Sequence, residues 1–405
     1  MTKELHLVGG TAVLPDRLLP NCRVVCCGET IQSVGTTDDA SDSSEGTAEF
    51  VADAETVELS GNYLVPGFVD LHVHGGAGAD FMDGTVEAVV QSCDAHLRHG
   101  TTSIFPTTTT GEPKHIHAMI EASLGSRGKT NSRIQGVHLY GPFFAENKVG
   151  CHDVEGRRDP EDEEFQAYFQ GGEIAIATCA AELPGASNFY GFAREHAHLL
   201  TCGHSNASYS EMQAAFDLGM RHVDHFWCAM SSVASLRGRF GTPMQASMAE
   251  FVLMNREMST EVIADGCHLS PELLEFAFQL IGPDRLCLVT DCNRALDMPP
   301  GEYAFGHAAG SARFYSDGRV GWALDRSSLA SSVKGMDHMV RTMANTTTAD
   351  LVDVIKMATL TPAKRVQIDG QVGSIEERKL ADLLVLNTDL EIVKVIVGGR
   401  IVVDL

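Results

Sequence analysis

Two histidines lie one residue apart near the end of an apolar segment, GFVDLHVHGG, at residues 67–76. Because side chains alternate along a strand, Asp70, His72 and His74 share one face, and the two imidazoles lie about 7 Å apart at their Cα atoms. Two imidazoles at this spacing can bind one metal ion. The alternative is a pair of surface histidines before a turn, and the rest of the chain has to decide between the two.

Other polar side chains suited to metal or proton chemistry follow further short apolar segments. They are His138, Glu182, His204, His225, Asp265 with His268, and Asp291. Each histidine alone is more typical of a structural residue whose hydrogen bonds are satisfied. Chance can put one or two such groups in phase with the strands, but not the whole set. The series therefore indicates a metal-dependent enzyme whose site lies where several strands end.

The segments that carry these residues alternate with helical patterns. Apolar runs typical of strands lie at residues 67–74, 101–108, 134–141, 173–180, 199–206, 221–228, 259–268 and 285–292. Helical runs such as SYSEMQAAFDLGM and SPELLEFAFQLIG lie between them, each with Ser at a plausible N-cap. Eight such units in about 300 residues predict a (β/α)8 barrel of the TIM type, in the α/β class. A doubly wound sheet is the alternative, but no glycine fingerprint follows the first strand.

Both ends of the chain contain short strand patterns. LHLVGGTAVL and NCRVVCCGETIQSVG near the start, and ADLLVLNTDLEIVKVIVGGRIVVDL at the end, predict one small β domain built from both termini. We expect this domain at residues 1–64 plus 366–405 and the barrel at 65–365. The polar, acidic segment 36–56 is predicted to be an exposed loop or insertion.

The composition limits the partners and the location. With 54 acidic and 30 basic residues, the net charge is −24, which argues against nucleic acid and anionic membranes as partners. The sequence has no run of 18 apolar residues and no signal-peptide pattern, so we expect no membrane span and a cytoplasmic protein. The eleven cysteines are scattered and form no CxxC pair, which argues against a disulfide framework or a thiolate zinc site.

Six motifs carry a resemblance to a known family. They are VPGFVDLHVHGG (65–76), HLYGPFFAENKVGCHD (138–153), GHSNASYSEMQAAFDLGMRHVDHFWCAM (203–230), ADGCHLSPELL (264–274), LVTDCNRALDMPPGEY (288–303) and TLTPAKRVQI (359–368). In their order and spacing, over nearly the whole chain, they resemble the N-acetylglucosamine-6-phosphate deacetylases of the amidohydrolase superfamily. The resemblance implies a barrel with a small β-sandwich domain, one or two Zn or Fe ions, and a homodimer in which an Arg of one subunit reaches the substrate phosphate in the other.

The resemblance also implies roles for individual residues. His204 and His225 would be metal ligands, and His72 with His74 would hold a second ion or the main one. Asp291 would be the general base that takes a proton from water and then protonates the leaving amine. The groups facing the substrate would be His152 at the carbonyl, His268 at the sugar, and the backbone near Cys228 and Ala229 with Arg237 or Arg239 at the phosphate.

The chain departs from the family pattern at two positions. Tyr140 stands where the family has a metal-binding Glu, and Cys228 stands where it has Asn. A neutral phenol is a poor metal ligand. One ion could still be bound by His72, His74, His204 and Asp291, as in deaminase-like relatives, and Glu182 could move in to contribute.

Three functions follow from these observations. The first is metal-dependent hydrolysis of the N-acetyl group of an amino sugar phosphate, N-acetylglucosamine 6-phosphate in particular. The second is hydrolysis of another N-acyl or cyclic amide substrate, which Tyr140 and Cys228 motivate. The third is a non-catalytic relative that binds a sugar phosphate. At the residue level, Asp291 could instead cap a helix, and Arg237 or Arg239 could be a solvated surface charge.

Overall fold

The computed structural model describes residues 4–38, 54–310 and 312–405. The predicted acidic loop at 36–56 therefore lies largely outside the described residues. At its two sides, Thr36 ends one strand and Glu55 begins the next.

The first described part of the chain forms strands of the small β unit. They are β1 (Glu4–Val8), β2 (Thr11–Val13), β3 (Leu18–Pro20), β4 (Cys22–Cys27), β5 (Thr30–Thr36), β6 (Glu55–Glu58) and β7 (Tyr63–Pro66). Residues such as Val24 and Val25 in β4 favour extended backbone because they are branched at Cβ. β5, β4, β1 and β6 form one sheet in that order.

The central part of the chain forms a ring of parallel strands. The strands of this region are β8 (Phe68–Val73), β9 (Gly75–Gly76), β10 (Ala79–Asp80), β11 (Thr101–Pro106), β12 (Arg133–Ile134), β13 (Val137–Leu139), β14 (Ile174–Thr178), β15 (Leu199–Cys202), β16 (His222–Val223), β17 (Ser259–Ile263) and β18 (Leu286–Val289). β8, β11 and β12 pair in parallel, and β13 to β18 pair in parallel in chain order. Parallel bridges from Thr107 to His138 and from Val73 to Cys292 join the two sheets. The predicted (β/α)8 barrel is therefore confirmed.

Helices follow most of these strands and cover the ring. They are α1 (Val86–Arg98), α2 (Pro113–Gly125), α3 (Asp162–Gly171), α4 (Ala186–Ala193), α5 (Tyr209–Asp217), α6 (Val233–Phe240), α7 (Met248–Met254), α8 (Pro271–Ile281), α9 (Met336–Thr346), α10 (Leu351–Ala358) and α11 (Leu360–Arg365). Ser208 caps α5 through a capping box with Glu211. Ser270 occupies the N-cap position of α8 without a capping bond from its side chain. Apolar helix residues such as Val89 and Leu274 pack on the strands in one core.

An antiparallel sheet that the sequence did not predict lies between β18 and α9. Its strands are β19 (Gly301–Ala304), β20 (Arg313–Ser316), β21 (Val320–Ala323) and β22 (Leu329–Ser332). A parallel bridge between Cys292 and Ser332 holds the sheet against the end of the barrel. A small apolar cluster that includes Phe305 and Phe314 packs it there.

The far end of the described chain returns to the small β unit. It forms β23 (Leu383–Leu386), β24 (Ile392–Val397) and β25 (Arg400–Asp404), which continue the sheet order β25-β24-β23-β7-β2-β3. A shared core holds the two sheets of this unit together, with buried residues that include Leu7, Val24, Leu64, Leu383 and Ile396. Strands from both chain ends thus build one sandwich, as the sequence predicted. The domain boundaries given above stay a prediction.

Gly67 alone separates β7 of the sandwich from β8 of the barrel. Its N–H donates to the Asp382 carbonyl at 2.9 Å. A Cβ at this position would lie 2.0 Å from Thr102 Oγ1, so only glycine fits. The strand that carries His72 therefore continues directly from the sandwich sheet. Among the described helices, none combines the length and apolar character needed to cross a membrane.

Candidate active site

Several predicted site residues meet at the carboxyl ends of the barrel strands. His204, His225 and Asp291 each lie two residues beyond the end of their strands and line one cavity of about 330 Å³. All three have positive φ angles, of 44°, 24° and 43°. Such backbone is uncommon for residues other than glycine and concentrates at functional sites. It also argues against Asp291 as a helix cap, since extended loop and not helix follows it.

The four predicted metal-binding histidines share one hydrogen-bonding pattern, in which Nδ1 is held by an oxygen. The oxygens are Glu261 Oε1 for His72 at 2.6 Å, the Thr107 carbonyl for His74 at 3.3 Å, the Lys148 carbonyl for His204, and the Cys228 carbonyl for His225 at 3.0 Å. A proton on Nδ1 leaves the lone pair on Nε2, which is the arrangement of metal-binding histidines supported by an outer hydrogen bond.

His72, His74 and Asp291 form a compact group that fits a divalent ion. Asp291 Oδ1 lies 3.2 Å from His74 Nε2 and 3.7 Å from His72 Nε2. Both Nε2 atoms are buried and have no hydrogen-bond partner. Ligand bonds of about 2.0–2.2 Å in a tetrahedron put ligand atoms roughly 3.3–3.6 Å apart. The donor set, the spacing and the two unpartnered nitrogens therefore all suit one metal ion.

His225 differs from these residues because its Nε2 already has a partner. The Tyr140 hydroxyl forms a short hydrogen bond with His225 Nε2. Since Nδ1 of His225 donates to a carbonyl, the phenol must donate and the imidazole accept. The Tyr140 ring is fully buried, and burial, with Asp224 and Asp291 nearby, raises its pKa well above 10. Tyr140 is thus a neutral donor on the nitrogen that would have to bind a metal.

The pKa shifts divide the site into two parts, His72 with Asp291 and a group of three histidines, His152, His204 and His225. Burial lowers the pKa of His72, but the Glu261 carboxylate, helped by Asp291, raises it overall to about 9. Burial likewise opposes ionisation of Asp291, yet the adjacent His74, at 3.2 Å, and the charge of His72 hold the pKa of this carboxyl well below its usual range. In the group of three histidines, burial lowers the pKa of His204 and His152 well below 6.5 and that of His225 to about 4.

Two acidic residues lie differently from what the sequence analysis considered. Glu182 accepts from the Ser205 hydroxyl at 2.5 Å and from the Asn206 N–H, so it supports the loop around His204 and does not face the ion group. Glu261, which the sequence analysis missed, contacts His72 directly. Its one available signal was a carboxylate in the middle of a short apolar strand, STEVI, which is typical of a buried, paired charge.

His138, also noted in the sequence, has a structural role. Its Nε2 bonds to the Thr178 hydroxyl at 2.8 Å and its Nδ1 to the Leu71 carbonyl at 3.0 Å. Both ring nitrogens are therefore occupied, and the ring is buried between strands of the barrel.

The residues expected to face the substrate divide into two groups. His152, Cys228, Ala229 and His268 line the cavity. Nδ1 of His268 lies 2.8 Å from Asp265 Oδ2, which fixes the ring. The Cys228 N–H, expected near a phosphate, donates to the His225 carbonyl at 2.8 Å.

The two arginines expected at the phosphate lie elsewhere. Arg237 and Arg239 are exposed on α6 and are not among the described residues that line the cavity. Arg239 pairs with Glu211 at 2.6 Å. Lys148, which the sequence analysis did not select, lines the cavity and donates from Nζ to the Met230 carbonyl at 2.7 Å. No other Lys or Arg is among the described residues that line it.

Comparisons with known proteins agree with this architecture. A sequence model of the Amidohydrolase family matches residues 63–402. The chain is 30% identical over 356 residues to an N-acetylglucosamine-6-phosphate deacetylase of Haemophilus influenzae, covering 87% of this chain and 90% of the relative. It is 28% identical to an N-acetylgalactosamine-6-phosphate deacetylase of Escherichia coli O157:H7, covering 85% and 89%. The crystal structure of N-acetylglucosamine-6-phosphate deacetylase from Pasteurella multocida shares the fold, with a TM-score of 0.88, 24% identity, and coverage of 98% and 99%.

Proposed function

The chain belongs to the amidohydrolase family and, within it, to the N-acetylglucosamine-6-phosphate deacetylases, and on that premise we propose that it hydrolyses the N-acetyl group of N-acetylglucosamine 6-phosphate. Water is added across the amide, which gives acetate and glucosamine 6-phosphate. The observation that carries the proposal is the group His72, His74 and Asp291, a set that could hold a metal ion and whose Asp291 also lines the cavity.

The divalent ion, Zn or Fe, would be held by His72, His74 and Asp291, and when bound it supplies Lewis acidity for the amide carbonyl and for water. Asp291 is suited to accept the proton of the attacking water because neighbouring histidines keep it ionised. The Ser331 hydroxyl donates to Asp291 Oδ1 at 3.2 Å and orients the carboxylate. The same carboxyl, once protonated, can deliver that proton to the leaving amine.

Other cavity groups would bind and orient the sugar phosphate. His152 is neutral at pH 7, and one of its nitrogens, Nδ1, is buried without a partner, so it can hydrogen-bond the acetyl carbonyl. His268, held by Asp265, can contact a sugar hydroxyl. Lys148 would provide positive charge for the phosphate, since it is the one Lys or Arg among the described lining residues; burial lowers its pKa, and a bound phosphate would favour its charged form.

A homodimer and a cytoplasmic location remain part of this proposal. In the dimer, Arg237 or Arg239 of one copy would reach the phosphate in the other. What supports this is the exposure of Arg237 together with the apolar side chains Phe240 and Met244, which are 44% and 58% exposed. A second subunit that covered this surface would bury these apolar side chains and bring the arginine to its partner.

The test is release of amine from N-acetylglucosamine 6-phosphate by the purified chain loaded with Zn²⁺ or Fe²⁺. N-acetylgalactosamine 6-phosphate is assayed beside it, because one relative is named for that epimer. Asp291→Asn is expected to lower kcat by about 10²- to 10⁴-fold, since proton transfer contributes that much. Asp217→Asn, at an exposed position at the end of α5, is the matched control and keeps full turnover.

Two results would count against the proposal. One is that the metal-loaded chain releases no amine from either sugar phosphate. The other is that Asp291→Asn turns over as fast as the parent chain, which would remove Asp291 from the proton transfer.

A further inference from the structure

We propose that Glu261 is the positioning residue of the metal centre: its carboxylate fixes the His72 ring, so that one ion is held by His72, His74 and Asp291 while Tyr140 keeps His225 out of the ligand set. This inference rests on the proposed function only in needing a metal-dependent chain. It adds a residue from β17 to a metal centre whose predicted ligands all belong to other strands.

Glu261 lies inside the barrel, with both carboxylate oxygens engaged. Oε1 is 2.6 Å from His72 Nδ1 and accepts from the His225 N–H at 3.2 Å. Oε2 is 3.4 Å from His222 Nε2. The side chain of Glu261 is 1% exposed. A buried carboxylate with hydrogen-bond partners on three sides has one orientation, and it can impose that orientation on His72.

The support for Glu261 continues one step further into the barrel. His222 Nδ1 bonds to the Ser259 hydroxyl at 2.8 Å, and that hydroxyl donates to the Arg221 carbonyl at 3.1 Å. These groups lie on the neighbouring strands β16 and β17 or directly beside them. The carboxylate is therefore tied to the backbone of the sheet and not to a mobile side chain.

The second ring nitrogen of His72, Nε2, is the atom that would bind the ion. With Nδ1–H held by Glu261, Nε2 faces Asp291 Oδ1 at 3.7 Å, and an ion that binds there takes the place of the proton on Nε2. Carboxylate–histidine–metal units of this kind fix the ring and make the imidazole a stronger donor. Glu261 thus adds negative charge behind His72 on its Nδ1 side, while Nε2 on the other side has no hydrogen-bond partner.

Tyr140 keeps His225 from binding the same ion as His72 and His74. Its hydroxyl donates to His225 Nε2, so a metal at that nitrogen must first displace a buried hydrogen bond. Breaking this bond leaves a buried phenol without its partner, which is unfavourable. The ligand set is therefore asymmetric, with free nitrogens at His72 and His74 and an occupied one at His225.

Glu261 also belongs to a second group, His222, Asp224 and Glu261, whose ligand atoms are close enough to hold a cation. Both Glu261 oxygens are within hydrogen-bonding distance of imidazole nitrogens, however, and Asp224 Oδ2 already accepts from Thr178 and Thr201 at 3.0 Å each. An ion there would have to displace the imidazoles from both Glu261 oxygens, although Asp224 Oδ1 is buried without a partner and open to a cation. The geometry favours Glu261 as a hydrogen-bond acceptor that serves His72.

The test measures binding of Co²⁺ to the metal-free chain, from the visible absorption of the bound ion and from its Kd. Glu261→Gln is expected to raise the Kd by about 10- to 100-fold and to shift the absorption bands, because loss of an outer carboxylate has effects of that size. Glu257→Gln removes an exposed carboxylate near the start of the same strand and should bind like the parent. His225→Asn should leave the Kd within about threefold.

The outcomes separate the inference from its alternatives. A folded Glu261→Gln chain with the parent's Kd and spectrum would overturn it, as would loss of the ion in His225→Asn. Binding of two ions by the parent chain, reduced to one by Glu261→Gln, would instead assign Glu261 to a second site and overturn the positioning role. If Glu261→Gln does not fold, Glu261→Asp carries the same prediction, because it keeps the charge but withdraws the carboxylate from Nδ1.

The measurement also distinguishes this inference from the proposed function. A chain that binds Co²⁺ in the predicted way but releases no amine from a sugar phosphate would refute only the function. A chain that deacetylates the sugar phosphate but whose Glu261→Gln variant binds Co²⁺ normally would refute only the role of Glu261.

Discussion

At the residue scale, Tyr140 controls how many histidines are available to a cation. Its ring lies 5.4 Å from the His204 ring and 5.9 Å from the His225 ring, between centroids, and its hydroxyl is bonded to the latter. A phenol cannot supply the negative charge that a carboxylate would. On the proposal made above, we therefore expect the identity of this one side chain to decide whether His204 and His225 can form a second ligand set.

Changing Tyr140 to a carboxylate should create that second set. Tyr140→Glu is expected to raise the Zn²⁺ content from about one to about two ions per chain, because the new ligand lies beside two histidines whose Nδ1 atoms are already held by carbonyls. The measurement is metal analysis by mass spectrometry after equilibration with excess Zn²⁺ and gel filtration.

Tyr140→Phe is the matched control for this change, since it removes the hydroxyl and adds no ligand. It should keep one ion. A folded Tyr140→Glu chain that also retains one ion would show that His204 and His225 cannot bind a metal even when a carboxylate lies beside them.

The residues of the proposed ion site could be selected from the sequence, and the structure brings three of them together, but the groups that support them could not be predicted. His72 and His74 follow from strand alternation, and Asp291 follows from its place after a strand. Glu261 meets His72 across 189 positions of the chain, and a contact between distant strands leaves no local pattern. Lys148 was missed for a similar reason, since a lone Lys in a loop is ordinarily a solvated charge.

At the scale of elements, the strand and helix order was predictable because the apolar period changes between units. The sheet β19–β22 was not, because GEYAFGHAAGSARFYSDGRVGWALDRSSL combines glycines and charges with strands of only four residues. β20 does alternate exposed and buried residues, but four residues are too few for a period of two to stand out in the sequence. This sheet nevertheless supplies Ser331, which bonds to Asp291.

His99 links two helices of the barrel through a pair of carboxylates. It follows α1, and it bonds to Asp297 at 3.0 Å and to Asp337 of α9 at 2.9 Å. Burial would lower its pKa, but the two carboxylates raise it to about 9 from 6.5. A histidine whose pKa is higher in the folded chain stabilises the fold fully below about pH 6.5, and this contribution is lost as the pH rises through about 9.

His99→Gln should therefore lower stability most at low pH. The expected difference from the parent chain is about 3 kcal/mol near pH 6 and falls towards zero near pH 9.5, at roughly 1.4 kcal/mol per unit of pKa shift. Thermal unfolding from pH 6 to 9.5 measures it. His196→Gln, at an exposed position, is the control and should follow the parent at every pH. An equal loss in His99→Gln across the whole range would show that the link is not titrating.

At the scale of the whole molecule, the charge is strongly unbalanced. The net charge of −24 repels itself in the folded state and weakens the compact form. Part of the acidic excess lies in the segment 36–56. Added salt shortens the range of this repulsion, from about 30 Å at 0.01 M to about 8 Å at 0.15 M.

The unfolding temperature should therefore rise by a few degrees when NaCl is raised from about 0.01 M to 0.15 M. Differential scanning calorimetry at constant pH is the measurement, and a neutral solute at the same osmolality is the control. An unfolding temperature that stays constant or falls with NaCl would mean that local ion pairs such as Arg133 with Asp382, at 2.6 Å, outweigh the long-range repulsion.

The single glycine between β7 and β8 has a consequence for how the protein is made. During synthesis, β7 leaves the ribosome early, but its antiparallel neighbour β23 is translated only after the entire barrel. β7, which leads through Gly67 into the strand that carries His72, therefore lacks this neighbour until the barrel has been translated. We expect the sandwich to gain this pairing only after the barrel sequence has emerged, so the two parts of the fold are completed in that order.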